Sequence, residues 1–340
     1  MLILYRNFNI CHNFTTLVTK VKMSRPTVLM SSPTIPKIAF DLLETRCNLV
    51  RTTTDSKNEI LEKVKGVDAI FWASHLPLNK EVLENAGSQM KTIGTMSAGF
   101  NHIDIGELKS RGIKLGNTPE VLNDGVADVA VLLALGASRR LQEGRLKIEN
   151  NEWNSHNQWM LGQDISGSTV GIIGLGGIGQ AIVKRLKPFN VAKFIYTGHK
   201  EKPEGKTLGA HFVDLETLNK ESDFIIVACP LNDETRGMIN DDFLSKTKKT
   251  AVLVNISRGD VVNQEALIKA LKEDRLFAAG LDVMTPEPLP SNHELLKMPN
   301  VVLMPHLGSA TKKTRDAMAE LTAQNILRGL GGEPMLTPVC

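Results

Sequence analysis

Short runs of consecutive apolar residues recur along the chain, separated by longer stretches in which apolar residues fall every third or fourth position. The runs at 26–30, 69–72, 91–96, 170–173, 193–196, 224–229, 250–255, 278–283 and 301–304 read as strands. They are continuous rather than alternating, which marks strands covered on both faces, as in a parallel sheet between helices. The periodic stretches at 35–45, 57–64, 80–86, 123–141, 180–186, 264–272 and 311–328 read as those helices. Strand–helix alternation throughout predicts an α/β protein. The stretch 123–141 is apolar on two faces: Val126, Val129, Ala130, Leu133 and Ala137 form one stripe, and Val131, Leu132 and Leu135 lie on the other. A helix apolar all round is expected to be buried, in part by another subunit. Trp153 and Trp159 follow in a polar connector, where local packing is the favoured reading and cover for a partner chain the alternative.

One strand breaks into a glycine pattern. After 170–173 come Gly174-Leu175-Gly176-Gly177-Ile178-Gly179, which is G-x-G-x-x-G, and then helix formers. Strand, glycine turn and helix in that order predict a dinucleotide site. The first glycine permits the tight turn, the second lets backbone approach a pyrophosphate, and the third lets the helix pack on the strand. Free N–H groups at the helix start attract the phosphates. The next strand ends in Thr197-Gly198-His199-Lys200, with Lys202 beyond. An acid at that strand end would take the ribose hydroxyls of NAD; its absence, followed by cations, predicts NADP over NAD. Glu201 opposes that inference.

Polar residues stand just beyond other buried strands. Small residues open a loop at 97–104, where backbone N–H groups can face a ligand or form a plain turn. Arg258, Glu287 and His306 each follow a separate strand. The strand ends of one parallel sheet share an edge, so the three are expected to converge where the cofactor sits. Their chemistry suits reduction of a carbonyl. Imidazole titrates near neutrality and can give the oxygen a proton. A carboxylate on its other nitrogen would orient and charge the ring. A guanidinium fork can hold a substrate carboxylate.

At 340 residues the chain has room for about two domains. No apolar run reaches the ~20 residues of a membrane span. The formal charge of +3 is carried by Arg6, Lys20 and Lys22, and from Met23 onward the charges balance, so the basic excess gives no nucleic-acid surface. Cys11, Cys47, Cys229 and Cys340 are scattered without metal spacing, which suits a reducing compartment and a cytoplasmic location. Residues 1–23 are expected to be a disordered tail. The basic, acid-free start reads as a mitochondrial targeting segment or as an upstream extension with Met23 as the working start; the scarcity of arginine favours the second.

These motifs together resemble the D-isomer-specific 2-hydroxyacid dehydrogenase family, most nearly its members that reduce glyoxylate and hydroxypyruvate. GTMSAGFNHID at 94–104, VGIIGLGGIGQAI at 170–182, LVNISRGDVVNQ at 253–264, AAGLDVMTPEPLP at 278–290 and MPHLGSAT at 304–311 carry the resemblance. It implies two doubly wound parallel-sheet domains, a Rossmann cofactor domain at 119–306 inserted into a flavodoxin-like substrate domain at 24–118 and 307–340. It implies reduction of glyoxylate to glycolate and of hydroxypyruvate to D-glycerate, with Arg258 binding substrate, Glu287 orienting His306 and His306 donating the proton. Ala98 and Gly99 should hold the substrate carboxylate, Asp282 should meet the nicotinamide carboxamide, and Pro230, Ile256 and Gly308 should line the cofactor. A homodimer is implied, joined through the cofactor domains. Gly177 departs from a larger, often basic residue, and Asn101 from a frequent Asp. Phosphoglycerate-type dehydrogenases and peptide-binding corepressors of the same fold are the alternatives; the first often carry a further regulatory domain, and the second a long tail.

Overall fold

The computed structural model describes residues 25–340. The expected disorder at 1–23 lies outside the described residues. In chain order the elements are β1 (Thr27–Met30), α1 (Lys37–Leu43), β2 (Asn48–Arg51), α2 (Lys57–Lys63), β3 (Ala69–Trp72), α3 (Lys80–Ala86), β4 (Thr92–Thr95), α4 (Ile105–Ser110) and β5 (Lys114–Gly116). Then come α5 (Asn123–Ser138), α6 (Leu141–Glu149), β6 (Thr169–Ile173), α7 (Gly177–Leu186), β7 (Lys193–Thr197), α8 (Pro203–Leu208), β8 (Ala210–Phe212), α9 (Leu215–Glu221) and β9 (Phe224–Val227). The chain ends with α10 (Asp241–Ser245), β10 (Val252–Asn255), α11 (Gln264–Lys272), β11 (Ala278–Leu281), β12 (Val301–Leu303) and α12 (Lys312–Leu330).

The strands form two sheets, both parallel. The first runs β2-β1-β3-β4-β5 and the second β12-β11-β10-β9-β6-β7-β8. The first order is flavodoxin-like and the second is the doubly wound order with one further strand, β12, at the edge, as the resemblance implies. Apolar clusters cover both faces of each sheet, so β3, β4, β9, β10 and β11 are buried at every position. That burial is why β3, β9 and β11 are continuous runs without a polar residue.

α12 follows the last strand of the second sheet yet packs on α1, β3, β4 and β5 of the first. Asn325, buried on α12, fixes the chain beyond it: its amide donates to the Asn117 carbonyl and Thr337 hydroxyl and accepts from Leu336 and Thr337 N–H. The final residues then pair with β5, Val339 N–H to Leu115 O at 2.7 Å.

The helix expected over 123–141 is α5, three residues shorter, and a second helix, α6, follows it. α5 stops at Ser138, Arg140 takes φ 55°, and α6 begins at Leu141. α6 buries no residue. The face of α5 that carries Val126, Ala130, Leu133 and Ala137 packs on the second sheet, whereas Leu132 is half exposed. Trp153 is 71% exposed, so local packing does not cover it.

Candidate active site

The residues expected to bind or act on substrate and cofactor lie at or just beyond the carboxyl ends of strands. β6 runs into Gly174, which has φ 100° and no room for a side chain against the Cys229 backbone at 2.8 Å. A Cβ on Gly179 would overlap the Gly174 carbonyl, so only glycine lets α7 start this close to β6. The point where a Cβ of Gly176 would stand has nothing within 4 Å. No side chain caps α7, and its first helical bond is Gln180 N–H to Gly176 O. The amides of Gly177, Ile178 and Gly179 have no acceptor among the described residues, at a positive helix end and at the switch point between β6 and β9. These residues fit a pyrophosphate. At Gly177 the position of a larger side chain is taken by the amide of Asn123, from the first turn of α5. Arg185 holds the two helices together through Asp124 and Asp128.

The cleft between the sheets gathers the polar groups. Asn255, buried at the end of β10, shapes the turn that carries Arg258: its Oδ1 accepts from Ser257 N–H, and its Nδ2 donates to the Arg258 carbonyl. The Arg258 guanidinium crosses to the loop beyond β4. Its Nε donates to Asn101 Oδ1 at 3.2 Å and its Nη1 to the Ser257 carbonyl at 2.8 Å. Its Nη2 stands 2.5 Å from where a Cβ of Gly99 would be. Burial pulls the Arg258 pKa down while the Glu287 charge supports the cation. In the loop beneath it, Ser97 Oγ donates to the Gly99 carbonyl and Asn117 Nδ2 to the Ala98 carbonyl. Among the described residues no acceptor takes the N–H of Ala98 or Gly99.

His306 Nδ1 lies 2.8 Å from Glu287 Oε2, and about a third of each side chain is exposed. Glu287 Oε1 accepts from Met284 N–H at 3.0 Å. Burial raises the Glu287 carboxyl, but the His306 bond, the Met284 N–H and the nearby cations outweigh it and hold the carboxyl below its ordinary pKa. Among the described residues the second ring nitrogen of His306 has no hydrogen-bond partner.

His306 has φ 54°, a left-handed backbone that costs a non-glycine residue about 1–2 kcal/mol. Asp282, buried at the end of β11, supports it. The Asp282 carbonyl accepts from His306 N–H, Oδ1 from Leu307 N–H at 2.7 Å, and Oδ2 from Gly308 N–H at 2.8 Å. This bracing was not read from the sequence. Burial pushes the Asp282 carboxyl up, against those two N–H bonds.

Two further imidazoles stand in the cleft. His75, beyond β3, has its ring 5.9 Å from that of His306. His102 is depressed to about 4, first by burial and then by the Arg258 charge. His75 would follow from the strand-end rule had it been applied to β3, and His102 lies in the loop at 97–104 that the rule marks beyond β4. Gly198, His199 and Lys200 lie exposed beyond β7, with His199 facing Glu234 at 3.4 Å. Pro230 and Ile256 follow β9 and β10 at the same edge. A separate cavity, lined by Arg140, Lys249, Leu276 and Asn300, lies at the opposite, amino-terminal edge of β10–β12. Among the described residues there is no cluster of metal-ligand type, and no helix is long and apolar enough to cross a membrane.

Known proteins resemble this chain in sequence and in fold. The sequence profile of the D-isomer-specific 2-hydroxyacid dehydrogenase NAD-binding domain matches residues 131–308. A human glyoxylate reductase/hydroxypyruvate reductase is 51% identical over 279 residues, covering 82% of this chain and 85% of that protein. A glyoxylate reductase of Pyrococcus horikoshii is 43% identical over 308 residues, covering 88% of this chain and 91% of its own. Among solved structures, the NADPH-dependent glyoxylate/hydroxypyruvate reductase of Sinorhizobium meliloti, in complex with NADP and malonate, superimposes with a TM-score of 0.82 at 31% identity, covering 93% of this chain and 97% of that one.

Proposed function

The chain belongs to the D-isomer-specific 2-hydroxyacid dehydrogenase family, oxidoreductases of the CH–OH group of 2-hydroxy acids, and on that premise we propose that it reduces glyoxylate to glycolate and hydroxypyruvate to D-glycerate, with NADPH preferred. The observation that carries the reading is the His306–Glu287 pair at 2.8 Å, on the second sheet, beside a guanidinium that reaches the loop of the first.

Residues 24–118 and 307–340 form the substrate-binding domain, and 119–306 the dinucleotide-binding domain. Ala98 and Gly99 present free amides to the substrate carboxylate, and Arg258 clamps it with a planar fork. His306 gives a proton to the carbonyl oxygen from its Nε2, while Glu287 on Nδ1 orients the ring. Acid catalysis from a fixed group is worth about 10²–10⁴ in rate. The nicotinamide, when bound, supplies the hydride. Gly174 to Gly179 hold the pyrophosphate, with Gly198, His199 and Lys200 at the adenosine ribose. Pro230, Ile256, Asp282 and Gly308 line the cofactor. The half-exposed Leu132, Leu141, Ile148 and Leu161, with Trp153, support a homodimer through the face of α5 and α6. The scattered free thiols of Cys47, Cys229 and Cys340 suit a cytoplasmic location.

The test is oxidation of NADPH and of NADH, followed by absorbance, with glyoxylate, hydroxypyruvate and pyruvate. Turnover of the first two, faster with NADPH, is expected. His306→Ala should lose turnover far more than cofactor binding. Equal loss of both would remove the proton-donor role, and tight peptide binding without turnover would favour the corepressor alternative.

A further inference from the structure

The loop beyond β7 is closed by one side chain. Tyr196 is fully buried, and its hydroxyl accepts from Lys202 N–H at 2.8 Å and donates to the Lys202 carbonyl at 3.3 Å. Both backbone groups of one residue are thereby tied to a strand residue six positions earlier, and 197–202 becomes a ring. The phenol is held in turn. The Phe212 ring of β8 lies 5.4 Å away. Gly205 lies within α8, where glycine is a poor helix residue. A Cβ there would meet the Tyr196 ring and hydroxyl at 2.8 Å, which explains the glycine.

The closed ring contains Gly198, His199 and Lys200 and ends at Lys202. It stands at the end of the strand next to the glycine turn, where doubly wound folds read the adenosine ribose. His199 faces Glu234, which leaves Lys200 and Lys202 as the loop's cations for a phosphate. We propose that Tyr196 is the positioning residue for the 2′-phosphate of the cofactor, its hydroxyl fixing the backbone from which Lys200 and Lys202 project. This rests on the NADPH reading above. A charge held in one place attracts a phosphate more than the same charge spread over a wandering loop. A cofactor without the 2′-phosphate has no such dependence.

Tyr196→Phe keeps the ring and removes both bonds. Dissociation constants for NADPH and NADH are measured by fluorescence titration of the full chain, with amide hydrogen exchange over 198–202. The constant for NADPH should rise about tenfold relative to that for NADH, the size of one weakened charge-assisted contact, and exchange in the loop should quicken. Gly205→Ala, which pushes on the phenol from the other side, should shift the ratio in the same direction. Equal weakening of both cofactors, or an unmoved ratio in both variants, overturns the proposal. The wild-type ratio reports separately on the cofactor reading. If the unaltered chain binds the two equally, that reading falls, and the exchange data still show whether the hydroxyl closes the loop.

Discussion

Gly99→Ala adds one carbon at a point 2.5 Å from Arg258 Nη2. Ordinary contact between such atoms is about 3.5 Å, so one group must retreat by about 1 Å. The loop is held by Ser97 and Asn117, so the guanidinium is the group that moves. Its Nε bond to Asn101 is already 3.2 Å and does not survive that displacement. A bond to a charged group is worth about 1.5–3 kcal/mol, which is about 10–150-fold in an equilibrium constant. Steady-state kinetics should therefore show kcat/KM for glyoxylate falling about 10–100-fold, a loss typical of a 1 Å misplacement. Most of it should appear in KM, with NADPH binding unchanged. In an Arg258→Ala background the same substitution should cost nothing more, because the atom it strikes is gone. Full activity of Gly99→Ala, or an equal loss in both backgrounds, would refute the reasoning.

Other residues give further expectations. Asp282→Asn leaves one acceptor for two backbone N–H groups, at a cost of about 1.5–3 kcal/mol, so Tm should fall by about 3–10 °C and kcat with it; an unchanged melting curve would count against the bracing of His306. His102 titrates at about 4 in the folded chain against about 6.5 unfolded, so the unfolded state takes its proton first and stability falls as pH drops across that window. His102→Asn should flatten the dependence of the denaturant midpoint on pH there, and an identical slope would contradict the depressed value. Thr197→Asp places an acid at the end of β7, which should repel a 2′-phosphate and move preference toward NADH; an unaltered ratio of kcat/KM values would undercut the cofactor argument.

The sequence was most legible where burial is two-sided. β3, β9, β10 and β11 are covered on both faces, so their apolar runs stand out against any helical period. β2 is an edge strand with no fully buried residue, and β5 and β8 carry Lys114 and His211 among three residues each, whereas the equally short β12 is Val-Val-Leu and shows. α6 was invisible for a related reason: its Leu141 and Ile148 face outward and nothing in it is buried, so it reads as a polar connector. Arg258, Glu287 and His306 could be found because strand ends of a parallel sheet share an edge, a rule that needs no side-chain geometry. Asp282 and Asn255 were legible as positions but not as braces, because their work is done on backbone N–H groups that no motif displays.

The chain passes from one sheet to the other twice, once between β5 and α5 and once between β12 and α12. Any swing of one sheet against the other must be taken up at those two joints. His306 belongs to the second joint, with its backbone clamped to β11 and the following helix seated on the first sheet. The imidazole thus stays fixed to the second sheet beside the pivot, and the angle between the halves sets which groups of the first sheet its free nitrogen meets.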